Sequence, residues 1–265
     1  MSGEDAIHVT RSEGVVTIRI DRPEKKNALT YGMFRRLGDI FDEIAHEPDD
    51  RVAVLTGVAG SFSSGADLTD TGDTSMTGFT TLSGTQWMRE VNWAQTALHH
   101  CPKPTIASVN GVAAGAGMNL ALGCDIVLAS ESARFTEIFV KRGLSVDMGG
   151  TWLLPRLVGL QKAKDLAFRG EIISAQEALE LGLVLRVVGD DAIDDEAQQY
   201  AATLASLPPV PLMLMKRGLD QSFGWTMDEA LDYEAQAQTA CFQTEDLAEA
   251  MMAFMQKRDG VYKGR

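Results

Sequence analysis

The stretch Ser61-Phe-Ser-Ser-Gly-Ala-Asp-Leu68 is the most informative part of the sequence, together with a second one, Asn110-Gly-Val-Ala-Ala-Gly-Ala-Gly-Met-Asn119. Each is a turn of small residues that follows an apolar run with the pattern of a β-strand. Such turns leave backbone N–H groups uncovered, because no bulky side chain shields them. Two N–H groups that point to one place form an oxyanion hole, which stabilises negative charge on an oxygen atom.

Strand, glycine turn and helix follow one another repeatedly around these two stretches. Residues 7–9 and 15–20 predict a β-hairpin, and Thr30 predicts the start of an amphipathic helix with Met33, Phe34, Leu37, Ile40, Phe41 and Ile44 on its apolar face. Further strands are expected at 51–56, 104–109, 124–129 and 183–188, and further helices at 87–99, 116–122 and 153–168. Residues 69–85 predict a mobile loop. After residue 190 the pattern is helical to the end. We therefore expect an α/β core over 1–195 and a helical C-terminal region over 196–265.

Composition excludes several classes of protein. The 265 residues carry a net charge of −13, which argues against general nucleic-acid binding, since phosphate contacts need a basic face. The cysteines at positions 101, 124 and 241 are too scattered for a disulfide framework or a zinc site. The N-terminus lacks the apolar segment of a signal peptide, and no apolar run reaches the length of a membrane span. A cytoplasmic protein without membrane or nucleic-acid partners is the expectation.

Motifs spread over nearly the whole chain resemble those of the enoyl-CoA hydratase/isomerase (crotonase) family, in the family's order. Besides the two opening stretches they are Arg22-Pro-Glu-Lys-Lys-Asn-Ala-Leu29, Cys124-Asp-Ile-Val127, Gly149-Gly150-Thr151 and Leu154-Pro155-Arg156. The resemblance implies a crotonase-like spiral of ββα turns with an α-helical C-terminal trimerisation region. It also implies an acyl-CoA substrate, a homotrimer or dimer of trimers, and neither a metal nor a separate cofactor, because coenzyme A is part of the substrate.

The resemblance assigns two backbone donors to the catalytic site. The N–H groups of Ala66 and Ala116 would form the oxyanion hole for the thioester oxygen. The implied substrate-binding residues are Lys25, Lys26, Ala28, Ala66, Asp67, Leu68, Ala116, Asn119 and Phe139. Lys25 and Lys26, with Arg22, form a basic cluster in an acidic protein, which suits the phosphates of a nucleotide.

The acid/base residues depart from the pattern of the family's hydratases. Their two glutamates fall at Asn119 and Phe139, and neither an amide nor a phenyl ring exchanges protons near neutral pH. Asp147 remains as the candidate acid/base, because the apolar neighbours Val146 and Met148 would raise the pKa of its carboxyl group. Its alternative role is that of a helix cap near Gly150.

Other polar residues are weaker candidates. Glu137 would reach the pocket from farther off, or would be a solvated acid at a strand edge. Asp67 is expected to order its loop and Asp125 to make structural hydrogen bonds, while His99 and His100 lie where a helix ends. Asp70 and Asp73 are expected to be exposed.

The favoured function is double-bond isomerisation of an acyl-CoA with Asp147 as acid/base. The alternatives are an enoyl-CoA hydratase in which Asn119 positions the water, an acyl-CoA-binding protein without catalysis, and, with the least support, a use of Asp147 as nucleophile. An apolar wall at Met76, Phe79, Leu82, Trp87 and Met88 would contact the acyl chain or the core.

Overall fold

The computed structural model describes residues 6–69 and 81–265. Its strands are β1 (Ile7–Ser12), β2 (Val15–Ile20), β3 (Val52–Gly57), β4 (Ser61–Ser63), β5 (Thr105–Val109), β6 (Val112–Ala114), β7 (Ile126–Ser130), β8 (Arg134–Thr136), β9 (Ile173–Ser174) and β10 (Arg186–Val188). Its helices are α1 (Tyr31–His46), α2 (Thr81–Val91), α3 (Trp93–His100), α4 (Ala116–Leu122), α5 (Gly150–Val158), α6 (Leu160–Arg169), α7 (Ala175–Leu181), α8 (Ile193–Ala205), α9 (Pro209–Gln221), α10 (Met227–Phe242) and α11 (Glu245–Gln256).

Two sheets organise the core within the described ranges. The larger has the order β1-β2-β3-β5-β7-β10, and the smaller has the order β4-β6-β8-β9. β1 and β2 form the predicted antiparallel hairpin, and the following strands of the larger sheet are parallel. Three times, consecutive strands go first to the larger sheet and then to the smaller one before helices follow, so the chain makes the ββα turns that were predicted.

Helix α1 forms where the sequence predicts it. The Thr30 hydroxyl accepts a hydrogen bond from the Met33 backbone N–H, which satisfies one free donor at the helix start. The predicted apolar positions Met33, Phe34, Leu37, Ile40, Phe41 and Ile44 are all buried. Helical periodicity therefore identified the face that packs on the core.

Several predicted elements differ in extent from those observed. The turn over 110–115 contains the short strand β6, because these residues pair in parallel with β8. The predicted helix over 87–99 is divided into α2 and α3, and the one over 153–168 is divided at Gly159, whose φ of +76° interrupts the helix. The predicted loop over 69–85 was wrong for residues 81–85, which lie in α2. Asp70, Asp73, Met76 and Phe79 lie outside the described residues, as does the side chain of Leu82.

The C-terminal helices fall into two groups. Position 195, the predicted division, lies within α8, which buries Ile193, Ala197 and Ala201 in a cluster with residues of β2, β3, β5 and β7. Helices α9 to α11 carry exposed apolar side chains instead, among them Leu219 at 71%, Phe242 at 66% and Phe254 at 82% exposure. The region that extends from the core thus begins after Ala205. Within the described ranges, no helix has both the length and the apolar character needed to cross a membrane.

Candidate active site

The two small-residue turns lie side by side. Gly65 has a φ of +92°, and a Cβ atom at this position would lie 2.6 Å from the carbonyl oxygen of Ala114 and 3.5 Å from the amide nitrogen of Ala116. A side chain at position 65 would therefore push the turns apart. The sequence places a glycine there because the backbones approach too closely for anything larger.

Ala66 is held in an isolated parallel bridge with Leu29. The Leu29 N–H donates to the carbonyl of Gly65 at 2.8 Å, and the Asp67 N–H donates to the carbonyl of Leu29 at 2.9 Å. In this arrangement the neighbours of Ala66 make the bonds to Leu29, so the N–H of Ala66 itself points to the opposite side.

Ala116 is the first residue of α4, directly after Gly115, whose φ is +52°. The first N–H groups of a helix have no partner within the helix. The N–H of Ala116 is therefore a donor without a partner in its own helix, and its nitrogen would lie 3.5 Å from a Cβ atom on Gly65.

We expect the Gly65→Ala variant to lose about 1–3 kcal/mol of unfolding free energy beyond the loss in Gly60→Ala, because position 65, unlike position 60, combines a positive φ with a close backbone contact. Gly60 also has a positive φ, of +66°, but no atom lies within 4 Å of a Cβ placed there. Urea unfolding of both variants measures the difference. Equal losses would show that the turns are not in contact at Gly65.

A buried polar cluster lies next to these turns. It consists of Asn119 on α4, Glu137 directly after β8, and Asp147 before α5. The Asn119 side-chain amide donates to Oε2 of Glu137 at 3.4 Å and to the backbone carbonyl of Asp147 at 3.0 Å. Gly150 permits the approach, since a Cβ atom there would lie 2.4 Å from the Asn119 nitrogen.

The cluster holds more hydrogen-bond acceptors than donors. Three buried oxygens have no hydrogen-bond partner among the described residues: Oδ1 of Asn119, Oε1 of Glu137 and Oδ1 of Asp147. Buried polar atoms are normally paired, and unpaired ones recur at sites that bind or transfer a proton. The arrangement therefore favours an added proton, or a ligand that brings a donor.

Burial perturbs both carboxyl groups in the same direction. Loss of hydration is the largest cause for Glu137, whose pKa rises to about 8, with a further increase from the charge of Asp147 and an opposing decrease from the hydrogen bond of Asn119. Loss of hydration also raises the pKa of Asp147 to about 6. Two acids with displaced pKa values in one place are typical of a site for proton transfer.

The alternative role of Asp147 as a helix cap is wrong. The capping residue of α5 is Gly149, and no side chain caps the helix. Met148, between them, is buried and has a φ of +48°, a left-handed conformation that costs a non-glycine residue about 1–3 kcal/mol. The tight backbone turn at Met148 thus leaves the Asp147 carboxyl group without a capping hydrogen bond.

Of the two roles that the sequence allowed for Glu137, the structure supports a place at the pocket, in the cluster with Asn119. It does not lie in a strand beside Phe139, because the chain enters a 3₁₀ turn at Ile138–Arg142. It is also not a solvated edge acid, since only 1% of the residue is exposed. The available signal was its position directly after the buried end of β8, but whether a residue there turns inward depends on the following turn.

Phe139 forms an apolar wall at the second turn. The residue is 5% exposed, and a Cβ atom on Gly115 would lie 3.5 Å from its ring. Behind it lies a cavity of about 390 Å³ between the 3₁₀ turn, α5 and α6, with Phe139, Val146, Leu154 and Phe168 among its lining residues.

The first turn is fixed to the segment 22–29. Arg22 Nη1 donates to Oδ2 of Asp67 at 2.7 Å and to the carbonyl of Ala28 at 3.1 Å. Burial alone would raise the pKa of Asp67, but hydrogen bonds from Thr69 and Arg22 outweigh it and lower the pKa to about 2. Asp67 thus orders its loop, as predicted.

The basic cluster is smaller than the sequence suggests. Arg22, which the sequence placed in this cluster, uses its guanidinium group within the chain, toward Asp67 and the carbonyl of Ala28. Lys25 and Lys26 remain exposed, while their carbonyls accept hydrogen bonds from the side chains of Ser64 and Ser61. Near them Ala28 is buried and Leu68 is 44% exposed.

The remaining polar candidates have structural contacts. Asp125 accepts hydrogen bonds from the backbone and hydroxyl of Thr105 and from Lys216, as predicted. His99 and His100 end α3. Among the described residues no three His, Cys, Asp or Glu side chains are arranged to hold a metal ion.

Proteins of one known family are similar to this chain over nearly its whole length. Residues 10–265 match the model of the family described as enoyl-CoA hydratase/isomerase. The chain is 39% identical to the 1,2-epoxyphenylacetyl-CoA isomerase of Escherichia coli K12 over 96% of both chains. It is 36% identical to the short-chain-enoyl-CoA hydratase of Clostridium acetobutylicum, over 94% of this chain and 95% of that protein.

A solved structure of an enoyl-CoA hydratase from Bacillus anthracis superposes with a TM-score of 0.92 at 32% identity, covering 98% of this chain and all of that one. The chain therefore belongs to the enoyl-CoA hydratase/isomerase family of acyl-CoA enzymes and has the crotonase fold. Relatives of similar identity carry the names of isomerases and of hydratases. Family membership therefore does not specify which of the two reactions this protein catalyses.

Proposed function

We propose that the protein isomerises a double bond in an acyl-CoA, with Asp147 as the group that removes and returns the proton. The proposal depends on Asp147, a partly buried residue whose carboxyl group has a raised pKa. Its backbone carbonyl accepts a hydrogen bond from Asn119, in the helix that begins at the second turn. A base with a pKa near neutrality can both accept and release a proton at physiological pH.

The N–H groups of Ala66 and Ala116 form the oxyanion hole in this proposal. Removal of a proton next to a thioester carbonyl places negative charge on the carbonyl oxygen, and two fixed donors stabilise that charge as it forms. The close approach of Gly65 to Ala116 supports a common target for both donors.

The residues at the hydratase glutamate positions support isomerisation. The Asn119 amide donates to Glu137 and to the carbonyl of Asp147, and Phe139 adds an apolar surface. A proton returned to carbon rather than to water requires a site that excludes water. A single carboxylate that moves a proton between two carbons meets the needs of the reaction, in which no atom is gained or lost.

The binding of coenzyme A is assigned to the first turn and the segment before α1. Lys25 and Lys26 contact the phosphates, the backbone around Ala28, Ala66, Asp67 and Leu68 lines the groove, and the apolar cavity behind Phe139 receives part of the acyl group. The exposed apolar side chains of α9 to α11 support a homotrimer or a dimer of trimers. The proposed reaction needs no redox cofactor or metal.

Hydration of an enoyl-CoA is the second candidate. It is favoured by the presence of two carboxyl groups, Glu137 and Asp147, whose pKa values of about 8 and about 6 suit an acid and a base. In that reaction Asn119 would position the attacking water.

A library of unsaturated acyl-CoA thioesters distinguishes these functions. We expect conversion to products of unchanged mass with a shifted retention time, measured by chromatography and mass spectrometry. Products heavier by one water molecule, without isomers, would replace the proposal by hydration. Tight binding with no conversion across the library would instead indicate a non-catalytic acyl-CoA-binding protein.

A further inference from the structure

We infer that Glu137 is a positioning residue that remains protonated and thereby keeps the negative charge of the cluster on Asp147. The inference concerns a residue that lies at neither of the glutamate positions of the family's hydratases. It rests on the proposed function insofar as Asp147 is the base.

The surplus of acceptors in the cluster favours a proton on one carboxyl group, or a donor from water or a ligand. The amide of Asn119 has two N–H donors, and both are used, toward Glu137 Oε2 and the backbone carbonyl of Asp147. An amide oxygen and an ionised carboxylate can only accept. Oε1 of Glu137 is one of the three oxygens of the cluster that have no partner among the described residues. A proton on this oxygen makes it a hydrogen-bond donor, so the number of unpaired acceptors falls from three to two.

Burial decides which of the two acids holds the proton. Glu137 is 1% exposed, whereas Asp147 is half-buried. An ionised carboxylate loses more hydration at the deeper position, so the charge is more stable on Asp147. Two carboxylates in one site repel each other, which further opposes ionisation of Glu137 while Asp147 is charged.

No cation offsets this preference within the described part of the chain. Of its charged groups, Asp147 is the one whose charge acts on Glu137. Lys141 and Arg142 follow on the same 3₁₀ turn but are exposed. Arg169, at the end of α6, pairs with Asp165 and Glu171.

The active form thus has Asp147 ionised and Glu137 protonated, which predicts a bell-shaped dependence of kcat on pH. The rate rises as Asp147 loses its proton near pH 6 and falls as Glu137 loses its proton near pH 8. The fall is expected because a second negative charge in the cluster opposes the charge that forms on the substrate. Because the two acids interact, the apparent pKa values of the rising and falling limbs of the pH profile are properties of the pair of carboxyl groups.

Replacement Glu137→Gln tests the inference. Glutamine has nearly the same shape, accepts a hydrogen bond from Asn119 and does not ionise. We expect the alkaline limb, a fall of about tenfold per pH unit in the wild type, to disappear while the acid limb stays. Glu131→Gln, at an exposed glutamate beyond β7, should keep both limbs.

Two results would overturn the inference. An unchanged alkaline limb in a folded Glu137→Gln variant would assign that limb to another group. Loss of turnover at every pH in the folded variant would show that Glu137 itself transfers the proton to the substrate.

Infrared titration of the free protein gives a test that needs neither turnover nor a folded Glu137 variant. We expect the band of a protonated carboxyl group to disappear near pH 8 in the wild type, and at lower pH in Asp147→Asn, which lacks the neighbouring charge. The same infrared result is expected even if the protein does not isomerise acyl-CoA, because the titration needs no substrate. The absence of a protonated carboxyl band at pH 7 in the wild type would overturn the inference.

Discussion

Replacement of Asp147 by asparagine is expected to lower kcat for isomerisation by about 100- to 10,000-fold, the usual contribution of a positioned acid/base group. Asparagine has the same shape but accepts no proton near neutral pH. The dissociation constant for acyl-CoA should change little, because the proposed binding contacts lie at the two turns and the segment 22–29. Steady-state kinetics with the best substrate of the library, together with calorimetric binding, measures both quantities.

The Asp191→Asn variant is the matched control. Asp191 is exposed, close to the start of α8, so the same chemical change there should leave kcat unchanged. Circular dichroism and thermal unfolding establish that both variants are folded. Isomerisation by Asp147→Asn at the wild-type rate would remove Asp147 from the mechanism.

The second large effect is expected from replacement of Ala116 by proline, which removes the N–H group of one proposed oxyanion donor. Proline is accepted at the first position of a helix, where the N–H has no helical partner. The loss of one donor should lower kcat about 100- to 1,000-fold, equivalent to about 2.7–4 kcal/mol of transition-state stabilisation. Kinetic assays of the purified variant measure this loss.

The same change at another helix start provides the control. Met227 is the first residue of α10 and is exposed, so Met227→Pro should retain activity and nearly the same unfolding temperature. If a folded Ala116→Pro variant keeps full activity, the N–H of Ala116 does not bind the thioester oxygen.

Sequence patterns predicted the parts of this protein that depend on neighbours along the chain. Helix α1 is an example, because a capping threonine and an apolar face at helical spacing are local signals. A second local signal is the sequence Ser174-Ala-Gln-Glu177, which predicts a capping box, and the structure has this capping box at the start of α7. The division between α5 and α6 was missed because a single glycine is compatible with a continuing helix.

The candidate site was predicted less completely, since it depends on contacts between distant segments. The pairing of Arg22 with Asp67 joins residues 45 positions apart, and no local pattern shows that this arginine is occupied. The inward direction of Glu137 is set by the 3₁₀ turn that follows it. The left-handed backbone of Met148, which releases Asp147 from a capping role, also has no signal in a single sequence.

Asn119 and Phe139, which stand at the two glutamate positions of the family's hydratases, both contribute to the surroundings of the remaining carboxyl groups. The amide of Asn119 joins the two remaining acids, and the ring of Phe139 supplies an apolar surface beside them. Replacement of the hydratase glutamates thus leaves a different pair of carboxyl groups, with their own order of ionisation.

The most direct measurement is a crystal structure with a non-reactive acyl-CoA analogue bound. We expect the thioester oxygen to lie within hydrogen-bonding distance, about 3 Å, of the amide nitrogens of both Ala66 and Ala116, with the acyl chain facing the carboxyl group of Asp147. A thioester oxygen directed away from both nitrogens, in a fully occupied site, would contradict it.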